Sequence, residues 1–241
     1  MALIVQKYGG SSVATPQRIK KIAERVVKTK KENHKLVVVV SAMGDTTDNL
    51  IKLMEKINPD PPKRELDLLL STGEVVSAAL LAAAISAKDE KAVAFTAYQG
   101  GIITDEIHTK ARIQRINTRK ILEELNRGNI LVIAGFQGVT PNDAITTLGR
   151  GGSDTTAVAV AAALKADICE IYTDVEGVFT ADPRIVPQAR KLKKISYDEM
   201  LELASLGTKV LHLRAVEIAK KFKVPLHIRS SFTDREGTLI C

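Results

Sequence analysis

Short apolar runs alternate along the chain with longer segments in which apolar residues recur at helical spacing. Leu36–Val40 and Ile130–Ala134 are continuously apolar, as strands are when a parallel sheet is buried on both faces. Between such runs the helical spacing indicates helices, and Thr15 and Pro16 suit the N-cap and first turn of the first one. The alternation predicts an α/β domain with a doubly wound, mainly parallel sheet and helices on both faces.

The bounds of the remaining elements follow from the same patterns. Further strands are predicted at Leu3–Val5, Val93–Thr96, Ile168–Tyr172 and Leu226–Ile228. Further helices are predicted after Ser41–Gly44 and at Arg64–Ser86, Asn117–Arg127, Thr155–Lys165, Ser196–Ala204 and Lys209–Phe222. No repeat, low-complexity tract or linker divides the chain, so residues 1–241 are expected to form one domain with two lobes around its site.

The composition is that of an ordinary globular protein, with 45% hydrophobic and 26% charged residues. Aromatic residues make up only 4%, so the core must be aliphatic, which favours helices packed closely on a sheet. The net charge of +7 fits an anionic substrate, but the 28 acidic residues are spread among the 35 basic ones. Because no basic block is interleaved with aromatic residues, we expect no nucleic-acid partner.

The cysteines and the apolar runs bear on the location of the protein. Cys169 and Cys241 lack metal-ligand spacing, which favours a reduced setting. No targeting segment is visible at the N-terminus. The apolar runs Leu36–Val40 and Ala157–Leu164 fall short of the roughly 20 residues that cross a bilayer. We therefore expect a cytoplasmic protein with no membrane partner.

Four polar or glycine-rich segments lie beside predicted strands, and ligands of open α/β sheets bind at the carboxyl ends of strands. The first, Lys7–Ser12, could cradle a phosphate with successive N–H groups and the Lys7 ammonium, although such a turn is more often only a turn. The second is Ser41–Gly44, followed by Thr46 and Thr47. These two threonines could instead serve only to cap the next helix.

The third segment, Gly149–Thr156, opens an alanine-rich helix. Its glycines, Arg150 and a capping Ser153 suit an anion, and Arg150 can grip a carboxylate with two hydrogen bonds. The alternative is a flexible loop before a capped helix. The fourth segment, Tyr172–Arg184, taken alone is a strand, a turn and a loop that contains a proline. Neither the P-loop nor the dinucleotide fingerprint occurs, so any ATP is bound by another architecture.

Together these segments resemble the aspartate kinases of the amino-acid kinase superfamily. That family shows K-[FY]-G-G-[ST]-S, S-A-M-G, a G-E pair, L-G-R-G-G-S-D, Y-T-D-V-x-G-[VI]-[YF]-T-x-D-P-R and G-A-K-V-L-H-P-R in this order. The matching segments here are Lys7–Ser12, Ser41–Gly44, Gly73-Glu74, Leu148–Asp154, Tyr172–Arg184 and Gly207–Arg214. The resemblance spans essentially the whole chain and implies the amino-acid kinase fold.

The resemblance also implies a reaction. The chain would transfer the γ-phosphoryl group of ATP, with Mg²⁺, to the β-carboxylate of L-aspartate, which gives 4-phospho-L-aspartate and ADP. This is the first step of lysine, threonine and methionine biosynthesis. The rivals are kinases of the same superfamily for N-acetylglutamate, glutamate, carbamate or uridylate, and a nucleotide sensor that has lost turnover. A dinucleotide-dependent oxidoreductase is a third rival, which lacks its fingerprint.

The resemblance assigns roles to individual residues. Lys7 and Lys209 would bracket the ATP phosphates, and Asp154 would orient Lys7 rather than act as a base. The implied ATP-binding residues are Lys7, Tyr8, Gly9, Gly10, Ser11, Thr173, Asp174, Phe179, Asp182, Arg184, Lys209 and Val210. Magnesium would bridge phosphate oxygens largely through water, so no metal site made of protein side chains is expected.

The implied substrate-binding residues are Thr47, Glu74, Arg150, Gly151, Gly152 and Ser153. Arg150 would hold the α-carboxylate of aspartate with help from Ser153, and Glu74 would hold the α-ammonium group. Thr47 would lie beside the reacting carboxylate. Without the resemblance, Glu74 would be interpreted as an exposed helix residue.

The chain departs from the family pattern at three positions. Thr208 replaces the usual alanine and Leu213 the usual proline beside Lys209, and Phe179 stands where tyrosine is common. Aspartate kinases usually continue into ACT modules that bind lysine or threonine, whereas this sequence has no such region. It is a fragment, a natural short form, or a catalytic chain with a separate regulatory chain. We expect a homo-oligomer that neither amino acid inhibits.

Overall fold

Two β-sheets and their flanking helices make up the structure, a computed structural model that describes residues 1–207 and 210–241. The larger sheet contains β1 (Leu3–Tyr8), β2 (Lys35–Val40), β3 (Ala92–Phe95), β6 (Ile130–Ala134), β9 (Ile168–Thr173), β10 (Lys194–Ile195), β11 (Leu226–Ser230) and β12 (Thr238–Ile240). The smaller sheet contains β4 (Ile102–Thr104), β5 (Ile113–Ile116), β7 (Gln137–Val139) and β8 (Ile145–Thr147).

The helices of the described chain connect these strands. They are α1 (Pro16–Lys31), α2 (Thr46–Ile57), α3 (Lys63–Ser86), α4 (Arg119–Asn126), α5 (Gly152–Leu164), α6 (Tyr197–Ser205) and α7 (Leu213–Phe222). The hydroxyl of Thr15 caps α1 by accepting a hydrogen bond from the Arg18 amide, and Pro16 opens the helix. The predicted start of α1 is therefore confirmed.

The larger sheet is doubly wound, with the strand order β10-β12-β11-β9-β1-β2-β6-β3. All of its pairings are parallel except that of β11 with β12. The predicted fold class is confirmed. In the middle of the sheet, Lys7 on β1 is in register with Val39 on β2 and Ile171 on β9. The end of β1 thus lies between the carboxyl ends of two neighbours, where ligands of such sheets bind.

Both faces of the larger sheet are buried, which explains why its strands are continuously apolar. Val5, Val37 and Val39 face a core that includes the inner sides of α5 and α7. Ile4 and Tyr8 face a second core under α1 and α3. Because side chains alternate along a strand, Lys7 points to the α5 side, whereas Tyr8 points away from it.

The sequence pattern did not predict the smaller sheet, nor β10 and β12. Most of these strands are two or three residues long, which is too short for alternation to show. The prediction that β1 ends at Val5 was also too short, since the strand runs on through Lys7 and Tyr8. Those two polar positions belong to the strand because both of its edges are paired.

Helix α3 is long and apolar enough, by length and composition, to cross a membrane. Half of its most apolar stretch is buried inside the structure, and it packs against α1, β3, β6 and β8. Its buried face also carries the acidic residues Asp67 and Glu74. We interpret α3 as a core helix.

Candidate active site

A cleft of about 530 Å³ opens at the carboxyl ends of β1 and β2. Its walls come from the start of α2, the middle of α3, the start of α5 and loops of the smaller sheet. Two predicted catalytic residues, Lys7 and Asp154, line it. All six predicted substrate-binding residues also line it: Thr47, Glu74, Arg150, Gly151, Gly152 and Ser153. Residues from four separate segments of the sequence therefore share one cavity.

Lys7 and Asp154 form an ion pair inside the cleft. The Lys7 Nζ atom lies 2.6 Å from Asp154 Oδ1, and the two side chains are only 11% and 13% exposed. Asp154 belongs to the first turn of α5, which packs against β1. The helix thus fixes the direction of the lysine ammonium group at the end of the central strand.

The turn after β1 brings main chain close to the Lys7 ammonium. A Cβ atom on Gly9 would lie 3.3 Å from Lys7 Nζ, and one on Gly10 would lie 2.9 Å from the Ala42 carbonyl oxygen. The Gly44 amide donates to the Gly10 carbonyl at 3.1 Å, so the two predicted glycine turns are joined. A side chain on Gly10 would collide with the backbone of the Ser41–Gly44 turn, so glycine at this position lets the two turns pack together.

Glu74 is buried on α3 and is 3% exposed. Its Oε1 atom accepts a hydrogen bond from the Ala42 amide at 3.2 Å, whereas Oε2 is buried without a donor among the described residues. Burial raises the pKa of Glu74 from 4.5 to about 7, and hydrogen bonds from backbone amides partly oppose this. The interpretation of Glu74 as an exposed helix residue is wrong, and its free oxygen can accept a cation.

The loop before α5 presents Arg150 to the cleft. Arg150 is exposed, and no hydrogen bond or ion pair joins its guanidinium group to the residues that the structure describes. The next residue, Gly151, is the N-cap of α5 with φ 68°, and a Cβ there would lie 2.3 Å from the His212 side chain. Ser153 was predicted to cap the helix, but it lies within the first turn and is buried.

The interpretation of Thr46 or Thr47 as a helix cap is also wrong. Helix α2 has Asp45 at its N-cap position, without a side-chain cap. The Thr46 hydroxyl donates to the Met43 carbonyl at 2.6 Å instead. Thr47 is half-buried in the first turn and faces the cleft.

The predicted nucleotide residues outside this cleft lie beside and beyond the end of β9. The Thr173 hydroxyl donates to Asp174 at 3.0 Å, and the Thr173 carbonyl accepts from the Ser231 amide at 2.8 Å. Arg184 forms a two-point ion pair with Asp182. Among the remaining predicted nucleotide residues, Phe179 pairs through its backbone with Lys191, and Val210 precedes α7. Lys209 lies outside the described residues.

Two other predicted ATP-binding residues, Tyr8 and Ser11, differ in which of their atoms a ligand could reach. Tyr8 is fully buried, its ring stacks on Tyr172 with centroids 4.7 Å apart, and its hydroxyl donates to Gln6. The Tyr8 side chain points to the opposite face of the sheet from Lys7. Only the main chain of Tyr8 could therefore contact a ligand bound at Lys7. Ser11 is exposed in the turn, and its carbonyl accepts from Arg18.

A sequence profile described as the amino acid kinase family matches residues 2–230. The chain belongs to the amino acid kinase family. Aspartokinase from Mycolicibacterium smegmatis is 56% identical over 241 residues, which are all of this chain and 57% of that protein. The chain thus spans little more than half the length of the curated relatives it matches.

Solved structures of amino acid kinases superpose closely on this chain. Aspartate kinase from Synechocystis gives a TM-score of 0.88 at 54% identity, over 99% of this chain and 40% of that one. Aspartokinase III from E. coli, in complex with aspartate and ADP, gives 0.87 at 27% identity, over 99% and 64%. The amino-acid kinase fold that the sequence motifs implied is confirmed.

In this amino acid kinase the cleft also includes residues that the sequence motifs did not single out. Thr109 and Thr147 line it, and both contact Asp67 on α3. Asp67 precedes Glu74 by two helical turns on the same buried face. An acidic residue seven positions before Glu74 in a largely apolar helix was a signal that the sequence offered.

Proposed function

We propose that this chain is the catalytic region of an aspartate kinase, which transfers the γ-phosphoryl group of ATP to the β-carboxylate of L-aspartate. The relatives named above support the class of reaction. One observation supports the choice of acceptor most directly. Glu74, whose buried Oε2 has no partner among the described residues, and Arg150, whose guanidinium group has none there either, line the same cleft as Lys7.

An amino-acid substrate complements this pair of charges. Its α-ammonium group would bind Glu74, and its arrival favours the ionised carboxylate of a residue whose pKa is about 7. Its α-carboxylate would bind the planar fork of Arg150, with Ser153 beside it. Thr47 would contact the substrate near the carboxylate that reacts. An acylated amino group or a nucleotide would leave Glu74 without a partner.

In the proposed transfer an oxygen of the aspartate β-carboxylate bonds to the γ-phosphorus of ATP. The bond from that phosphorus to the β,γ-bridging oxygen breaks, and ADP leaves with the electron pair. The attacking carboxylate is already ionised at neutral pH, so no general base is needed. Lys7, held by Asp154, would stabilise the charge on the transferred group, and we propose Lys209 for the same task.

We propose that ATP lies along the ends of β1 and β9. The turn at Gly9 and Gly10 follows directly on Lys7, and a Cβ atom on Gly9 would lie 3.3 Å from Lys7 Nζ, so a phosphate held by Lys7 would lie close to this main chain. The proposed nucleotide contacts are Tyr8 through its main chain, Ser11, Thr173, Asp174, Phe179, Asp182, Arg184 and Val210. Magnesium would supply positive charge to the phosphates and keep much of its water, so we propose no dedicated set of protein ligands for it.

The location and the oligomeric state of the protein are supported by fewer observations than its reaction is. We propose a cytoplasmic location on the sequence resemblance to kinases of amino-acid biosynthesis, and the packing of α3 against α1, β3, β6 and β8 supports a core helix rather than a membrane span. We also propose self-association, and its support is the sequence resemblance to kinases that pair through their catalytic domains. Light scattering of the purified chain measures its oligomeric state.

The decisive experiment measures ADP release with ATP, Mg²⁺ and each candidate acceptor. L-Aspartate should support turnover, whereas N-acetylaspartate, N-acetylglutamate, L-glutamate and UMP should be far poorer. Arg150→Lys should raise the KM for aspartate, because a point charge replaces a two-point contact. Arg127→Lys is a matched control, since Arg127 is an exposed arginine on a distant helix end that pairs with Glu124. Comparable rates with UMP or with N-acetylated acceptors would contradict the proposal.

A further inference from the structure

Asp67 is a fully buried carboxylate that the proposed reaction does not use. It lies on α3, two helical turns before Glu74. Burying an ionised carboxylate is unfavourable unless hydrogen bonds replace its water. The donors that satisfy it therefore show what the side chain holds in place.

Three donors from two separate segments converge on Asp67. The Thr109 amide donates to both carboxylate oxygens, at 3.1 and 2.9 Å. The His108 ring places Nδ1 2.7 Å from Oδ2, and the Thr147 hydroxyl donates to Oδ1 at 2.5 Å. Asp67 thus ties the loop between β4 and β5, and the end of β8, to helix α3.

Both tied segments adjoin the backbone of Arg150. Thr147 ends β8, three residues before Arg150, and its carbonyl accepts from the Ala111 amide at 2.9 Å. The Thr109 carbonyl oxygen lies 3.1 Å from the position of a Cβ on Gly149, so that residue is packed against the tied loop. Because Arg150 has no hydrogen bond or ion pair to the described residues, its direction depends on this backbone.

We propose that Asp67 is a positioning residue that fixes the wall of the cleft that carries Arg150 and thereby sets the affinity for the substrate α-carboxylate. This inference rests on the proposed function. Helix α3 would then determine the binding of both the α-ammonium and the α-carboxylate group of the amino acid. Glu74 would contact the ammonium group directly, and Asp67 would act on the carboxylate through Arg150.

The first test compares Asp67→Ala with Asp67→Asn in the full chain. Asp67→Ala should raise the KM for aspartate about tenfold, within the range known for small misplacements of a binding group, and leave kcat and the KM for ATP within about twofold. Asp67→Asn keeps the shape and one acceptor oxygen, so it should restore most of the affinity. Ser77→Ala is the control, since Ser77 is a buried polar residue of α3 that bonds only to Gly73 among the described residues.

A double-mutant cycle with Arg150→Ala shows whether the effect passes through Arg150. If it does, Asp67→Ala should add less than about twofold to the KM for aspartate of the Arg150→Ala chain. A full tenfold addition, or an equal loss for ATP, would overturn the inference. If Asp67→Ala does not fold, Thr147→Val removes one contact and is measured in the same cycle.

Hydrogen exchange separates this inference from the proposed function. In Asp67→Ala, amides of residues 107–111 and 147–151 should exchange faster than in the unmodified chain, while those of β2 should not change. Unchanged exchange in both segments would overturn the positioning role even if the chain phosphorylates aspartate. Faster exchange in a chain that never releases ADP with aspartate would overturn the proposed function and, with it, the assignment of the anion as a substrate α-carboxylate.

Discussion

At the scale of single residues, Lys7 is the group on which phosphoryl transfer should depend most. Lys7→Ala should lower kcat by about two to three orders of magnitude, the usual loss when one preorganised stabiliser of transition-state charge is removed. Steady-state ADP release at saturating substrates measures this. Lys35→Ala is the matched control, because Lys35 begins β2 at the opposite end of the sheet and contacts Asn126. A near-normal kcat for Lys7→Ala would contradict the proposed mechanism.

Glu74 should give the reaction a characteristic pH dependence. Its pKa in the folded chain is raised from 4.5 to about 7, so the neutral form accumulates as the pH falls through 7. Neutral Glu74 cannot attract the substrate ammonium group, and kcat/KM for aspartate should fall about tenfold per pH unit below 7. Initial rates at low aspartate between pH 5.5 and 8.5 would show it. Glu74→Gln should flatten the profile at a low value, and an unchanged profile would remove Glu74 from the substrate site.

The same raised pKa has a stability consequence with a definite sign. In the folded chain without substrate, burial disfavours ionised Glu74. The resulting preference for the neutral form contributes stability that is fully present below pH 4.5 and is lost as the pH rises through about 7. Glu74→Gln should therefore melt higher than the unmodified chain at pH 8, and the difference should shrink towards pH 4.5. Calorimetry without ligands measures this, and a difference that grows towards acid would be the wrong sign.

The site residues differ in how far the sequence alone could place them. Lys7, Arg150 and Ser153 occur in motifs of unusual residue types, and all three line the cleft. The sequence could not show that only one oxygen of Glu74 has a donor within the described part of the chain, because that depends on the Ala42 turn, 32 residues away. Asp67 was missed because its partners lie 41 to 80 residues further along the chain.

At the scale of elements, the start of α5 depends on glycine for two reasons that can be separated. Gly151→Ala meets an unfavourable φ of 68° and would place a Cβ against His212, whereas Gly128→Ala meets φ 85° with no atom within 4 Å. Gly128→Ala should therefore cost about 1 kcal/mol of unfolding free energy from the backbone alone. Gly151→Ala should cost about 3 kcal/mol, because overpacking adds to the strain.

Urea denaturation of both glycine variants measures these costs, and the KM for aspartate should rise only for Gly151→Ala. Equal losses of stability would mean that His212 moves aside without cost. An unchanged KM would mean that the start of α5 tolerates displacement without affecting the cleft.

Long elements were predictable from the sequence, and short ones were not. Helix α3 was predicted at Arg64–Ser86 and runs from Lys63 to Ser86, because 24 residues give many turns in which the apolar period can show. β4, β7 and β8 have three residues each and are held by pairing with one another. Their stability comes from neighbours distant in sequence, which a local pattern cannot report.

At the scale of the whole molecule, the cleft combines both sheets, so substrate binding should stabilise the entire fold. Aspartate at 100 times its Kd should add about 2.7 kcal/mol of unfolding free energy and raise Tm by roughly 5–10 °C. Differential scanning fluorimetry measures the shift. Arg150→Ala should lose most of the aspartate shift at the same concentration but keep the shift caused by ADP. Loss of both shifts would show that the variant damages the fold rather than one half of the cleft.

The position of β1 in the sheet sets a lower limit on how soon a new chain can fold. β1 leaves the ribosome well before β9, which is one of its two neighbours, and Gln6 meets Glu170 across 164 residues. At about 5–20 residues per second, synthesis reaches that partner on the order of ten seconds later. During this interval one edge of an apolar strand is unpaired and can join the wrong chain. A cell that makes many copies of this protein at once should therefore depend on chaperones that shield β1 until β9 has been made.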